Sequence, residues 1–223
     1  MSIGTVLYGP RYCGKTSFLE AIEGSVKHIN TYGVGCVEGW EAFKDTVEAI
    51  EQPYEVLTVD GLSRLNEMCT EYICEQENEE HPSLAGNRKS IIYKKIKTEM
   101  QDVLFSLPMR CNHIFFTADM ETKELNSSLY KGTFLYPKFD WVLEDIMPHI
   151  TQQTICLSPT YVYKKVKSRS TGEVRNERKE KRIMICSARP DIYAGDSTGK
   201  LPKEIDAGTS GAEAYKNYMK EMK

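Results

Sequence analysis

Short apolar runs alternate with amphipathic stretches along this chain, and their spacing predicts its elements. Ile3–Tyr8 is a short apolar run halted by Gly9-Pro10, the pattern of a buried strand. Lys15–Ile22 follows as a helix that ends near Gly24, and Val26–Asn30 fits a second strand. Trp40, Phe43, Val47 and Ile50 recur at steps of three and four residues, which predicts an amphipathic helix stopped by Pro53. Tyr54–Val59 reads as a third strand ending at Asp60-Gly61, and Leu62, Leu65, Cys69, Tyr72 and Ile73 mark the next helix. After a polar loop, Arg88–Leu107 is a long helix with Ile92, Ile96, Met100, Val103 and Leu107 on one face and Pro108 behind it. Cys111–Ala118 is a fourth strand and Thr154–Leu157 a fifth. Tyr161–Lys167 and Arg182–Ser187 read as paired strands around a charged linker with a glycine turn. Ala188–Thr209, rich in Pro, Gly and Asp, reads as extended, and Ser210–Glu213 has the form of a capping box opening a short C-terminal helix. Strands alternating with helices predict an α/β domain with a mostly parallel sheet.

Composition narrows the class. The chain has 223 residues, enough for one domain with a sizeable core, so neither disulfide nor metal is required for folding. We expect a single domain over 1–223, with a core over 1–160 and a basic hairpin and C-terminal extension over 161–223. No run of 18 apolar residues occurs and the first residues lack a secretory pattern, so a cytoplasmic protein with no membrane partner is expected. Seven cysteines without regular spacing do not form a disulfide framework, which fits a reducing compartment. The net charge of −3 excludes bulk attraction to nucleic acid.

One stretch carries specific chemistry. Gly9-Pro10-Arg11-Tyr12-Cys13-Gly14-Lys15-Thr16 fits the pattern G-x-x-x-x-G-K-[ST]. In such a loop successive backbone N–H groups point inward around phosphates, and the helix that follows adds its positive end. Gly9 through Thr16, with Ser17, are therefore the expected ATP contacts. Lys15 is the cation for the β- and γ-phosphates, and Thr16 supplies a hydroxyl for Mg²⁺. The second metal-holding group is expected at Asp60, 44 residues beyond Thr16, where an apolar strand ends in a carboxylate. Cys13 lies inside the loop, where backbone dipoles are expected to lower its pKa.

Gly9-Pro10, Gly14-Lys15-Thr16, then VLTVDGL, then HIFFTAD, are similar to the RecA-like core of P-loop ATPases. More closely, with the tail ARPDIYAGDSTGKLP, the chain resembles short phage-encoded AAA-type ATP-binding proteins, some related to RecA-like single-strand-annealing proteins. The resemblance spans about residues 1–60, 110–120 and 188–202. It implies a P-loop NTPase fold with the sheet order 5-1-4-3-2, the fourth strand lying between the phosphate-loop strand and the Asp60 strand. Thr117 would then sit where relatives sense the γ-phosphate, with Asp119 beside it. A homo-oligomer, ring or filament, in the host cytoplasm is implied too.

The chain departs from that pattern in two places. The second strand reads HINTY where RecA-like relatives carry a glutamate, and Gly61 follows Asp60, so the carboxylate that would activate water is missing. Glu38 is the nearest remaining candidate. In the tail, Gly195 and Ser197 stand where relatives tend to have basic fingers that reach a neighbouring protomer, leaving Arg189 and Lys200 as substitutes.

Charge is unevenly distributed. Between Tyr161 and Arg182 nine basic residues face three glutamates, a net of +6 that leaves −9 on the rest of the chain. Lys164, Lys165, Lys167, Arg169, Arg175, Arg178 and Lys179 are the candidate contacts for single-stranded DNA, with Tyr161 and Tyr163 as stacking faces. The first functional expectation is a phage ATPase acting in DNA recombination or replication through single-stranded DNA. The alternatives are a nucleotide-dependent regulatory or scaffold module with little hydrolysis, and a nucleotide or small-molecule kinase.

Overall fold

A strand covered on both faces reads as a nearly continuous apolar run, and three such strands make the middle of this molecule. The computed structural model describes residues 2–126, 131–167 and 174–223, with the side chains of Asn126 and of residues 161–180 outside that description. In chain order the main elements are β1 (Ile3–Gly9), α1 (Lys15–Glu20), β2 (Val26–Asn30), α2 (Trp40–Glu48), β3 (Tyr54–Asp60), α3 (Leu62–Gln76) and α4 (Lys89–Ser106). There follow β4 (Cys111–Asn126), β5 (Lys131–Pro137), α5 (Trp141–Ile150), β6 (Gln153–Lys167), β7 (Val174–Ile185), β8 (Gly195–Asp196), β9 (Glu204–Gly208) and α6 (Gly211–Glu221).

The sheet runs β2-β3-β4-β1-β6-β7-β9, and the first five are parallel. With β6 as the fifth core strand this is the order 5-1-4-3-2, and β4 lies between β1 and β3. The pleat sends alternate residues to two cores. Val6 and Tyr8 of β1, Leu57 and Val59 of β3, and Ile114 and Phe116 of β4 pack under α2, α3, α4 and α5. Leu7, Val56 and Phe115 pack on the other face, under α1 and α6. A layer of helices on each side of a parallel sheet is what right-handed crossovers produce.

Several elements differ from the expectation. The fifth strand and the first arm of the basic hairpin are one strand, β6, running unbroken across residue 160 and pairing antiparallel with β7 from Cys156↔Ile185 to Lys167↔Val174. From Val174 onward the charged linker is strand, because antiparallel edges outside the core tolerate charge on both faces. Beyond Asp119, β4 leaves the parallel sheet and turns back through β5, pairing Met120↔Pro137 to Asn126↔Lys131. Helix α5 then starts at Asp140, whose carboxylate accepts the Val142 and Leu143 N–H groups at 3.1 and 3.2 Å. The C-terminal helix is capped as expected, with Ser210 Oγ accepting the Glu213 N–H at 3.1 Å. It lies so close to α1 that a Cβ on Gly211 would stand 1.9 Å from the Ser17 carbonyl oxygen.

Under α6 the second core contains polar groups. Thr5 Oγ1 and Tyr218 Oη each donate to Gln153 Oε1, at 2.8 and 2.7 Å. Both hydroxyl protons are thereby used, so the His113 ring meets the hydroxyl oxygens as a donor from Nε2, at 2.9 and 3.2 Å. The ring stacks on Phe115 with centroids 4.2 Å apart. Burial and the charge of Lys200 push the His113 pKa down to about 4.

An unfolded histidine titrates near 6.5 and this one near 4, so the unfolded chain binds the extra proton first. His113 therefore gives its full stabilisation above pH 6.5 and loses it as pH falls from 6.5 to 4, on the order of 3 kcal/mol. His113→Asn should melt lower at pH 7.5 and show a shallower fall in melting temperature between pH 6.5 and 4.5. Thermal unfolding of both proteins across that range checks it.

Candidate functional site

Parallel strands gather their C-terminal ends at one edge of the sheet, and loops leaving those ends form a cleft. Here the register pairs Gly9 with Asp119 and Asn30 with Asp60, so the ends of β1, β2, β3 and the parallel part of β4 are level. The cleft above them has a volume of about 900 Å³. Arg11, Tyr12, Gly14, Lys15, Thr16 and Ser17 from the phosphate loop line it, together with Asp60, Thr117 and Asp119.

The loop itself requires unusual backbone angles. Tyr12 has φ of 63° and Gly14 of 101°, an alternation that turns successive N–H groups to one side. At Gly14 a side chain is excluded twice over. The angle disfavours it, and its Cβ would stand 2.6 Å from Arg182 Nη1. Lys15 Nζ donates to the carbonyls of Gly9 at 2.9 Å and Pro10 at 3.2 Å, and lies 3.6 Å from Asp119 Oδ1.

Asp60 stands at the centre of the floor. Thr16 Oγ1 donates to its Oδ2 at 2.8 Å, and Thr117 Oγ1 donates to its Oδ1. Thr117 Oγ1 also accepts the Gly61 N–H at 2.9 Å, and Thr31 Oγ1 donates to the carbonyls of Asp60 and Gly61 at 2.8 and 3.0 Å. Both carboxylate oxygens and the backbone on either side are thus fixed. Three residues singled out from the sequence, Thr16, Asp60 and Thr117, meet although 101 residues separate the first from the last. A hydroxyl and a carboxylate side by side form an all-oxygen donor pair that fits Mg²⁺ held partly by a substrate's phosphates.

Other expected residues lie elsewhere. Glu38 is on the loop ahead of α2 and does not border the cleft. Among the described residues, the carboxylates that do are Glu20, Asp60 and Asp119. Glu20 falls one turn after Thr16 on α1, an i, i+4 relation readable from the sequence. Arg189 is ion-paired with Glu204. Neither Arg189 nor Lys200 borders the cleft, whereas Arg182 does. The register places Tyr163 opposite Arg178, Lys164 opposite Glu177, and Lys165 opposite Asn176 on the two arms of the hairpin; Arg175 and Lys179 stand opposite Val166 and Val162. Lys167 pairs with Val174, and Arg169 lies outside the described residues.

Cys13 corrects the expectation of a lowered pKa. Its side chain is buried, and the loss of solvation raises its pKa, outweighing the opposing effects of Lys15, Arg182 and backbone hydrogen bonds. At the mouth of the cleft Tyr12 and Val34 are almost fully exposed, at 97% and 104%. No helix among the described residues is long and apolar enough to cross a membrane.

The chain matches the family model described as AAA domain over residues 2–198. No curated protein matches it. Among solved structures it is similar to a KaiC-like protein from the hyperthermophilic archaeon Pyrococcus horikoshii OT3, with 13% identity over 82% of this chain and 86% of that one, at a TM-score of 0.39. The strand order, rather than that distant likeness, fixes the fold.

Burial at Cys13 has a direct chemical consequence. Iodoacetamide at pH 7.5 should label the half-exposed Cys36 well before Cys13, and peptide mass spectrometry over a labelling time course reads the order.

Proposed function

The chain belongs to the AAA domain family, and from that premise we propose that it is a P-loop ATPase that binds Mg-ATP on Gly9–Ser17. The observation that carries this reading is the 2.8 Å contact between the Thr16 hydroxyl and the Asp60 carboxylate, formed across two crossovers of the sheet. When bound, Mg²⁺ supplies positive charge to the phosphate oxygens. Thr16 and Asp60 are the residues that would hold it, and Thr117 keeps Asp60 turned towards Thr16. Backbone N–H groups of the loop and the start of α1 bind and orient the phosphates.

Lys15 explains how substrate binding can arm the site. Its ammonium is shared between two carbonyls and Asp119. Phosphate oxygens are stronger acceptors than carbonyls, so Lys15 transfers to them and leaves Asp119 free. Asp119 is then the carboxylate best placed to accept a proton from the attacking water or to orient it, the role first sought at Glu38. The strand β4 between β1 and β3 supports an ATPase over a kinase, being the arrangement the resemblance implies.

The finer reading is an ATPase acting on single-stranded DNA in recombination or replication, assembled as a ring or filament. Two features support it: a net of +6 on the hairpin segment against −9 elsewhere, and exposed Tyr12 and Val34 at the cleft mouth, where a second copy of the chain would cover them. Lys200, exposed in the tail, is the residue best placed to reach such a neighbour, since Arg189 is held by Glu204. A second reading, a regulatory module with slow turnover, is favoured by the engagement of Asp119 with Lys15.

Titration calorimetry separates binding from turnover. Lys15→Ala should weaken Mg-ATP binding about 100-fold, by removing charge-assisted hydrogen bonds to phosphate. Asp119→Asn should bind Mg-ATP normally and hydrolyse it about 100-fold more slowly. Equal turnover in Asp119→Asn and wild type would exclude Asp119 from the chemistry. Lys165→Glu combined with Arg178→Glu should reduce binding of single-stranded DNA and flatten its dependence on salt.

A further inference from the structure

Of the nine basic residues in the hairpin segment, Lys181 and Arg182 have described side chains, and that of Arg182 borders the cleft. It sits on β7, which is separated from β1 by β6, so it enters from the flank of the phosphate loop opposite Asp60. Its Nη1 lies 2.6 Å from where a Cβ on Gly14 would stand, directly over the turn into α1. Two irregularities aim it there. β7 is bulged against β9 between Arg182 and Ile183, and the residue opposite Arg182 on β6 is Pro159, which has no N–H to donate. A bulge redirects the side chain it carries.

The charge balance at this position is unusual. Neighbouring Lys181 is paired with Asp206 at 2.5 Å, and Arg189 is paired with Glu204. Arg182, partly buried, has no carboxylate partner among the described residues, and it stands beside the same loop as Lys15. Two cations facing one nest of backbone N–H groups repel each other until an anion lies between them.

We propose that Arg182 is a phosphate-binding residue acting in cis, on the α- and β-phosphates of a nucleotide held by the loop, and that it joins nucleotide occupancy to the position of the basic hairpin. The inference rests on the reading of Gly9–Ser17 as a nucleotide site. Because Arg182 approaches over Gly14, away from the Thr16–Asp60 pair, it addresses the phosphates that a nucleoside diphosphate and triphosphate share. The guanidinium fork can hold two phosphate oxygens at once, which an ammonium cannot.

The test compares wild type, Arg182→Gln, Arg182→Lys and Lys15→Ala, each first matched for melting temperature. Calorimetric titration with Mg-ATP and Mg-ADP gives affinities. Amide hydrogen exchange, with and without Mg-ADP, gives the response of β7. Arg182→Gln should weaken both nucleotides by about tenfold or more, equally, and Arg182→Lys should recover part of the loss. Mg-ADP should slow exchange in β7 around Arg182 in wild type but not in Arg182→Gln. Unchanged affinity in Arg182→Gln, with loss in Lys15→Ala, overturns the proposal and leaves the nucleotide site standing. A loss confined to ATP overturns the assignment to the shared phosphates. Absence of nucleotide binding in wild type overturns the underlying reading itself. If Arg182→Gln does not fold, Arg182→Lys carries the comparison: full wild-type affinity and exchange protection there would reject any need for the guanidinium fork.

Discussion

The Asp60 carboxylate is the point on which the site depends. It accepts one hydroxyl from α1 and one from β4 while its own backbone belongs to β3, so three segments distant in sequence share one anion. The hydroxyls can reach it only if the strand ends are level, and the parallel register makes them so. A slip of one residue in β4 would turn Thr117 to the opposite core and bring Phe116 or Ala118 to the carboxylate instead. The same slip would take the Thr117 donor from Asp60 Oδ1 and from the Gly61 N–H its acceptor. Register, packing and site geometry are therefore one constraint. Because two hydroxyls already hold the carboxylate, little ordering is left for ligand binding to accomplish.

Around this anion the molecule holds cations without settling them. Lys15 rests on carbonyls and a carboxylate 3.6 Å away, a distance at which attraction is real but hydrogen bonding is weak. Arg182 has no carboxylate at all among the described residues. By contrast the surface pairs, such as Lys44 with Glu99 at 2.8 Å, are closed. An anion arriving in the cleft meets unsatisfied donors and fixed backbone dipoles, so its binding relieves repulsion as well as forming contacts.

The sequence made the centre legible and the periphery obscure, for a physical reason. β1, β3 and β4 are covered on both faces, and nearly continuous apolar runs such as VLTV and HIFF follow from that. The phosphate loop was legible because its backbone geometry demands glycine at fixed spacing. The sequence pattern of β6 suggests two strands because it changes from buried to charged near Ser158, where β6 runs past the core, although its backbone pairing with β7 does not change. β5 shows no clean alternation, and in α5 Pro148 masks the helical spacing of Val142, Leu143, Ile146, Met147 and Ile150. Their places are set by tertiary contacts, such as Tyr8 Oη donating to the Leu135 carbonyl at 3.0 Å. At the site, Glu38 lies near the second strand in sequence but away from the cleft, whereas Glu20 is brought to it by the i, i+4 relation to Thr16 on α1. The Cys13 expectation weighed dipoles and neglected desolvation, which is the larger effect once the side chain is inside.

The continuity of β6 gives the basic segment a mechanical meaning. Its first residues pair with β1 beneath the phosphate loop, Thr5↔Gln153 to Tyr8↔Cys156, and its last reach Lys167 in the hairpin. Fifteen residues of strand span roughly 50 Å at about 3.3 Å per residue. A ladder of that length bends most easily where a pair is weakened, and Pro159↔Arg182 is such a place, with the bulge beside it. Force applied to the Arg182 guanidinium by a phosphate therefore acts at a weakened pair of the ladder, close to the root of the hairpin. A displacement of the root grows with distance along a stiff arm, so a small adjustment at the cleft becomes a larger one among the cations beyond Tyr161. Placing Arg182 at the root, rather than farther along the arm, is what lets one residue serve both the loop and the arm.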